Sequence, residues 1–215
     1  MKKTSRYDPS GSIEAQFEPG SRGRVLRNIP GIKRKREMDR AEFREYVHAL
    51  EKIIGIYEQD QRLTADDVCK IHKLWLGSVY EWAGRYRSVN ASKEGFMFAA
   101  AAHIPRLMSG LERGPLYRFT PCIFESRDEI IKALAVVHTE LILIHPFRDG
   151  NGRLARLIAT LMAWQAGLPN LDFGGISGKK RQEYFSAVRA GLDYNYEPMI
   201  EVFDSVIQRT LRGRK

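Results

Sequence analysis

The chain has 215 residues, enough for one domain or one domain with arms, and its 43% hydrophobic content can bury a sizeable core. Its net charge of +9 sits at the ends: residues 1–40 hold 11 Lys/Arg against 5 Asp/Glu, and residues 209–215 add four basic residues and no acid. A membrane-spanning helix is excluded, because the most apolar window, 130–144, is short and is interrupted by Lys132, His138 and Glu140.

Residues 1–37 carry Pro9, Gly11, Pro19, Gly20, Gly23, Pro30 and Gly31, which predicts an extended, basic, loop-rich arm ahead of a domain over 38–215. Polar residues after Met1-Lys2-Lys3 give no expectation of a secretory leader. Lys33-Arg34-Lys35-Arg36 reads as a solvated run before a helix, with contact to nucleic acid or an acidic partner as the alternative. No interleaving of aromatic and basic residues supports single-strand binding, so nucleic acid is not the expected partner. Helical spacing of Phe43, Tyr46, Val47, Leu50, Ile53, Ile54 and Tyr57 predicts a helix over Met38–Gln59. Thr64-Ala-Asp-Asp resembles a capping box and opens a helix to about Glu81. Tyr86 to Phe98 breaks the rhythm and reads as two short strands around a turn, followed by a helix near Ile104–Leu111. Ser126-Arg-Asp-Glu129 is a fuller capping box and opens a helix that ends at His145. The next helix runs from Arg153 to Gly167, with Pro169 as a stop, and two more are expected over Lys179–Gly191 and Glu197–Leu211. Cys69 and Cys122 lack metal-site spacing and read as buried thiols in a reducing compartment. The fold class is therefore mainly α with one small hairpin.

The chemistry concentrates in His145-Pro146-Phe147-Arg148-Asp149-Gly150-Asn151-Gly152-Arg153-Leu154-Ala155-Arg156. Glycines on both sides of Asn151 allow positive φ angles and a concave nest of amides, at which the following helix aims its N-terminal dipole. Arg153 and Arg156, three apart, share a helix face and can grip more than one phosphate. Asp149 at the mouth of such a nest would repel phosphate unless a cation intervened; magnesium, which takes one or two carboxylates plus substrate phosphates, fits. His145, with an ordinary pKa near 6.5, can serve as a neutral base at pH 7. Phe147 is the apolar anchor of the loop.

This run resembles the Fic family signature H-x-F-x-D/E-G-N-G-R-x-x-R at every fixed position, and the resemblance extends over about residues 40–210. It implies a Fic-type helical bundle with a β-hairpin flap over the active site, and an enzyme that transfers AMP from ATP to a Ser, Thr or Tyr hydroxyl of a target protein. By the same resemblance His145 deprotonates that hydroxyl and Asp149 holds Mg2+ with the ATP phosphates. The Gly150–Gly152 nest takes the α- and β-phosphates, and Arg153 and Arg156 take the outer ones. The phosphorylating Doc branch lacks the Gly-Asn-Gly-Arg core, so AMP transfer is favoured over phosphate transfer. The flap, about 85–98, would pair with the target segment through Val89, Asn90, Phe96, Met97 and Phe98. Tyr184 and Phe185 occupy the place of the family's adenine-pocket aromatics, or else belong to the core.

His138, two turns before His145, reads as a packed core histidine, and His48, His72 and His103 have no ligand-like spacing. Many Fic proteins carry an inhibitory [ST]-x-x-x-E-[GN] helix whose Glu pairs with the second motif arginine, here Arg156. The nearest match, Ser10 to Ala15 with Glu14, fails at its last position and lies between Pro9 and Pro19. Inhibition is therefore expected from a separate antitoxin-like protein, with Glu14 as the alternative. A toxin-like or regulatory enzyme acting in the cytoplasm, or delivered into another cell, is the resulting expectation. Transfer of another phosphate-containing group, removal of AMP, or a non-enzymatic nucleic-acid module are the competing readings.

Overall fold

The computed structural model describes residues 12–213, and helices dominate it. α1 spans Lys35–Ile56, α2 Ala65–Leu76, α3 Ile104–Leu111, α4 the short turn Tyr117–Phe119, α5 Arg127–Ile144, α6 Asn151–Gln165, α7 Lys179–Ala190 and α8 Glu197–Arg212. A π-helical turn over Glu112–Leu116, with Pro115 inside it, joins α3 to α4, and the sequence reading missed both segments. One antiparallel hairpin, β1 Ser92–Lys93 and β2 Phe96–Met97, pairs Ser92 with Met97 and Lys93 with Phe96.

α5 explains why the bundle closes. It is apolar on nearly every side, with Ile131, Leu134, Val137 and Leu141 among its buried residues, so it must be surrounded. α3, α6, α7 and α8 pack around it, and α1 and α2 pack against each other and against α6. The two caps behave in reverse of expectation. Thr64 forms the full box, its hydroxyl accepting from the Asp67 amide at 3.1 Å while the Asp67 carboxylate accepts from the Thr64 amide at 2.9 Å. Ser126 forms half a box: its hydroxyl accepts from the Glu129 amide, but the Glu129 carboxylate takes the Ser126 hydroxyl rather than its amide. α2 stops at Leu76, five residues before the expected end, where Gly77 begins a series of turns.

The segment over 12–34 is loop-rich as expected, but it is packed on the body rather than extended from it. Val25 is buried, the Ile29 amide donates to the Val79 carbonyl at 2.8 Å, and Asn28 donates to the carbonyls of Leu26 and Ile32. The boundary at 37/38 thus falls inside one structural unit, and α1 starts at Lys35, three residues before it. Among the described residues no helix is long and apolar enough to cross a membrane.

Candidate active site

α5 ends where His145 takes a left-handed backbone conformation, φ +52°. A β-carbon there costs on the order of 1–2 kcal/mol, and glycine is the usual occupant, so the surroundings must hold the histidine in place. Several contacts do so. The Arg87 guanidinium donates to the His145 carbonyl at 2.7 Å, and the Arg87 amide to the Pro146 carbonyl at 2.9 Å. The ring of Phe98 stacks on the imidazole with centroids 3.6 Å apart. Nδ1 lies 3.3 Å from the Ile142 carbonyl, a geometry that protonates Nδ1 and leaves the lone pair on Nε2. Burial lowers the His145 pKa to about 4, the Ile142 carbonyl opposes that, and the Arg87 charge adds to it. His145 is neutral at pH 7.

The loop from 146 to 150 is built as a unit. Asn151 is buried, its Oδ1 accepting from the Phe147 amide at 2.9 Å and its Nδ2 donating to the Phe147 carbonyl at 2.8 Å. Its side chain is therefore spent on the loop, and its backbone amide at the start of α6 is what it contributes to the nest. Phe147 is fully buried, as an anchor should be, and stacks on His72 at 3.9 Å. His72 accepts from the Gly84 amide at Nδ1, 2.8 Å, so Nε2 carries the proton and donates to the Asp149 carbonyl at 3.1 Å. Its pKa falls to about 4, chiefly through burial. Gly150 has φ +83°, and a β-carbon on it would lie 2.8 Å from the Trp75 ring. Gly152 lies inside α6 without a positive φ, against expectation, and a β-carbon there would meet only Ile142, at 4.0 Å.

The two arginines differ in their partners. Arg153 does not project freely: its guanidinium binds the buried Glu42 carboxylate at 2.6 Å, lies 3.8 Å from Asp149 and covers the Trp75 ring at 4.7 Å. Glu42 is further held by the Tyr80 hydroxyl at 2.6 Å. Arg156 lies over Phe173 at 5.4 Å, and its buried Nε has no hydrogen-bond partner among the described residues. Asp149 is about half exposed and accepts from the Gly150 amide at 2.6 Å.

Two cavities meet at His145. One, of about 800 Å3, runs along the motif and is lined by Asp149, Gly150, Asn151, Gly152, Arg153 and Arg156, and by Val89, Asn90 and Phe98 from the flap region. The other, of about 310 Å3, is lined by Phe96, Tyr184, Phe185, Arg181 and Arg189, with Gly152 and Arg156 shared. Tyr184 thus lines a cavity beside the motif, yet it is buried and its hydroxyl is 2.8 Å from His138 Nε2. Phe185 carries Lys93 and Arg181 over its ring. His138 is a buried core residue as expected, its pKa lowered to about 4 mainly by burial.

The hairpin is shorter than expected and begins later: Val89 and Asn90 precede β1 instead of forming it. Val89 gives its carbonyl to Arg87, and Asn90 accepts from the Ala101 amide at 2.9 Å. Met97 is exposed, whereas Phe98 is committed to His145 rather than to a docked segment. Glu14 forms no ion pair with Arg156 among the described residues. Its buried carboxylate accepts from the Ser88 amide at 2.7 Å and from the Ser88 hydroxyl, and its carbonyl accepts from Arg148 at 2.8 Å. Sequence reasoning missed Glu42, His72 and Arg87. Each reads as an ordinary helix or loop residue, and only the fold brings them to the motif.

Residues 62–163 match the family model for the Fic/DOC family. Among curated proteins the chain is 30% identical over 211 residues to the protein adenylyltransferase VbhT of Bartonella schoenbuchensis, covering 96% of this chain and 40% of that protein. It is 28% identical over 160 residues to the protein adenylyltransferase Fic of Nematostella vectensis, covering 73% of this chain and 35% of that one. The chain thus spans two fifths or less of these relatives. Among solved structures, the N-terminal Fic domain of a cell filamentation protein from Bartonella quintana superposes with a TM-score of 0.68 at 28% identity, covering 84% of this chain and 87% of that one. The BepC protein of Bartonella tribocorum, solved with bound AMPPNP, gives a TM-score of 0.66 at 24% identity, over 84% and 91% of the two chains. Motif, helical bundle and relatives agree, and the chain carries a domain of the Fic/DOC family over residues 62–163.

Proposed function

We propose that the chain is a protein adenylyltransferase that moves AMP from ATP to a Ser, Thr or Tyr hydroxyl of a target protein. The observation that carries this reading is His145: a neutral base whose Nε2 lone pair is left open, set between an anion-binding helix start and a hairpin. The relatives named protein adenylyltransferases support the same activity. The acceptor oxygen attacks the α-phosphorus in line, the bond to the bridging oxygen breaks, pyrophosphate leaves, and the acceptor proton passes to His145 Nε2. Amides at the start of α6 and the Arg156 guanidinium stabilise the charge that develops on the phosphates. Arg153, anchored by Glu42, presents its remaining donors from a fixed position.

Asp149 is the residue that would hold Mg2+. No group of three His, Cys, Asp or Glu side chains suited to a metal occurs among the described residues. A lone, half-exposed carboxylate suits an ion that takes most of its ligands from phosphates and water. Such an ion, when bound, neutralises phosphate charge. The 310 Å3 cavity suits the adenine, with Phe185 and the Tyr184 ring edge as its apolar walls. Because Glu14 is engaged at Ser88, Arg156 is left for an outer phosphate, and on this reading inhibition comes from a separate antitoxin-like protein.

The test uses ATP labelled at the α- or the γ-phosphate, incubated with the chain and a cell lysate. Label should enter protein from the α-position only, and His145→Ala should lower incorporation at least about 100-fold, the lower bound for loss of a general base. Incorporation from the γ-position, or an unchanged rate in His145→Ala, would overturn the reading.

A further inference from the structure

Arg87 is one of the largest fully buried side chains, 2% exposed, and no carboxylate forms an ion pair with it among the described residues. Burying a guanidinium is costly unless its donors are satisfied, and an apolar side chain would fill the same space without that cost. Its bonds run to three separate segments. Nε donates to the His145 carbonyl at 2.7 Å, one terminal nitrogen to the Val89 carbonyl at 2.7 Å, and the other to the Ala99 carbonyl at 2.6 Å. The last also lies 3.5 Å from the Ile144 carbonyl. Val89 and Ala99 are the entry and exit of the hairpin region; His145 is the strained end of α5.

We propose that Arg87 is a positioning residue that fixes the hairpin relative to His145, so that an acceptor docked on one meets the base on the other. The planar fork is what makes this possible, because one rigid group sets three carbonyls at once. Also linking the two are the Arg87 amide, which donates to the Pro146 carbonyl at 2.9 Å ahead of the hairpin, and the stack of Phe98 on His145, which constrains separation but not sliding. The inference rests on His145 being the base and the hairpin being the acceptor dock. A misplacement of about 1 Å between reacting groups lowers rate by about 100-fold, which sets the expected size of the effect.

The experiment compares wild type with Arg87→Lys, Arg87→Met and Arg87→Gly in two assays. Amide hydrogen exchange over 88–99 and 143–149 tests the tether without reference to activity, so it still decides the matter if no AMP transfer is found. Both segments should exchange faster in Arg87→Lys and Arg87→Met while α8 is unchanged. Incorporation from α-labelled ATP into the chain itself should fall about 100-fold in both. Added guanidinium should recover at least tenfold in Arg87→Gly, which a loss of packing alone would not allow. Faster exchange in only one of the two segments would overturn the proposal. So would wild-type transfer in Arg87→Lys, since charge rather than geometry would then suffice. Failure of both Arg87→Lys and Arg87→Met to fold would also overturn it, by making Arg87 a residue of the fold.

Discussion

The same glycine type does opposite work on either side of Asn151. Gly150 sits at φ +83° under the Trp75 ring, so Gly150→Ala meets both backbone strain and a collision. It should lose more than about 2 kcal/mol in a urea melt. Gly152 is helical and has open space above it, so Gly152→Ala should keep or raise the melting temperature, as alanine favours a helix by up to about 1 kcal/mol. Its cost should appear in weaker AMPPNP binding, measured by calorimetry. Unchanged affinity would mean that phosphate does not approach that face. Arg153→Ala is a second case in which stability and activity must be separated. It strands the buried Glu42 and should lower stability by about 1–3 kcal/mol. Arg153→Ala combined with Glu42→Gln should recover at least half of that loss while AMP transfer stays low. The motif residues were legible one by one because their chemistry is local. Glu42 and Arg87 were not, because a buried charge has no sequence signature until its partner, here 111 or 58 residues away, is known.

At the level of elements, the helices with clear periodicity and stop signals were read correctly, α3, α7 and α8 nearly to the residue. The π-helical turn at Glu112–Leu116 was not, since a proline and a glycine there signal a break while the fold continues a coil around them. The hairpin was displaced because 87–89 have strand-like composition but bond elsewhere than to a neighbouring strand: the Arg87 amide donates to the Pro146 carbonyl, the Ser88 amide to the Glu14 carboxylate, and the Val89 carbonyl accepts from the Arg87 side chain. The 3-10 turn Ile13–Ala15 was the most misleading, as it matched part of an inhibitory pattern. Its glutamate braces Ser88 and its carbonyl braces Arg148, so Glu14→Gly should lower self-modification or leave it unchanged, measured with α-labelled ATP. A clear rise would restore an inhibitory role.

Across the whole molecule, the N-terminal segment and the helical body form one unit, and burial sets its response to acid. His138 packs beside Tyr184 with Arg156 nearby, and His145 packs against Phe98 with Arg87, Lys93 and Asp149 around it. These two and His72, packed against Phe147, have folded pKa values of about 4 against 6.5 in the unfolded chain. The unfolded chain therefore binds more protons between those values. The stability is fully present above pH 6.5 and is lost as pH falls toward 4, on the order of 3 kcal/mol for each histidine. Denaturant melts from pH 7.5 to 4.5 should show this slope, and His138→Gln should remove about a third of it. The rate of AMP transfer should show no limb near pH 6.5.

On the proposed docking, the brevity of the hairpin sets how tightly a target can be held. With two residues in each strand, an added strand finds room for two or three backbone hydrogen bonds at most. At about 1 kcal/mol net apiece, these give a dissociation constant no better than the millimolar range. A grip that weak releases the modified product at once, and it selects little. On the proposed docking, the choice of target would be made by a second, separate contact that raises the local concentration of the acceptor.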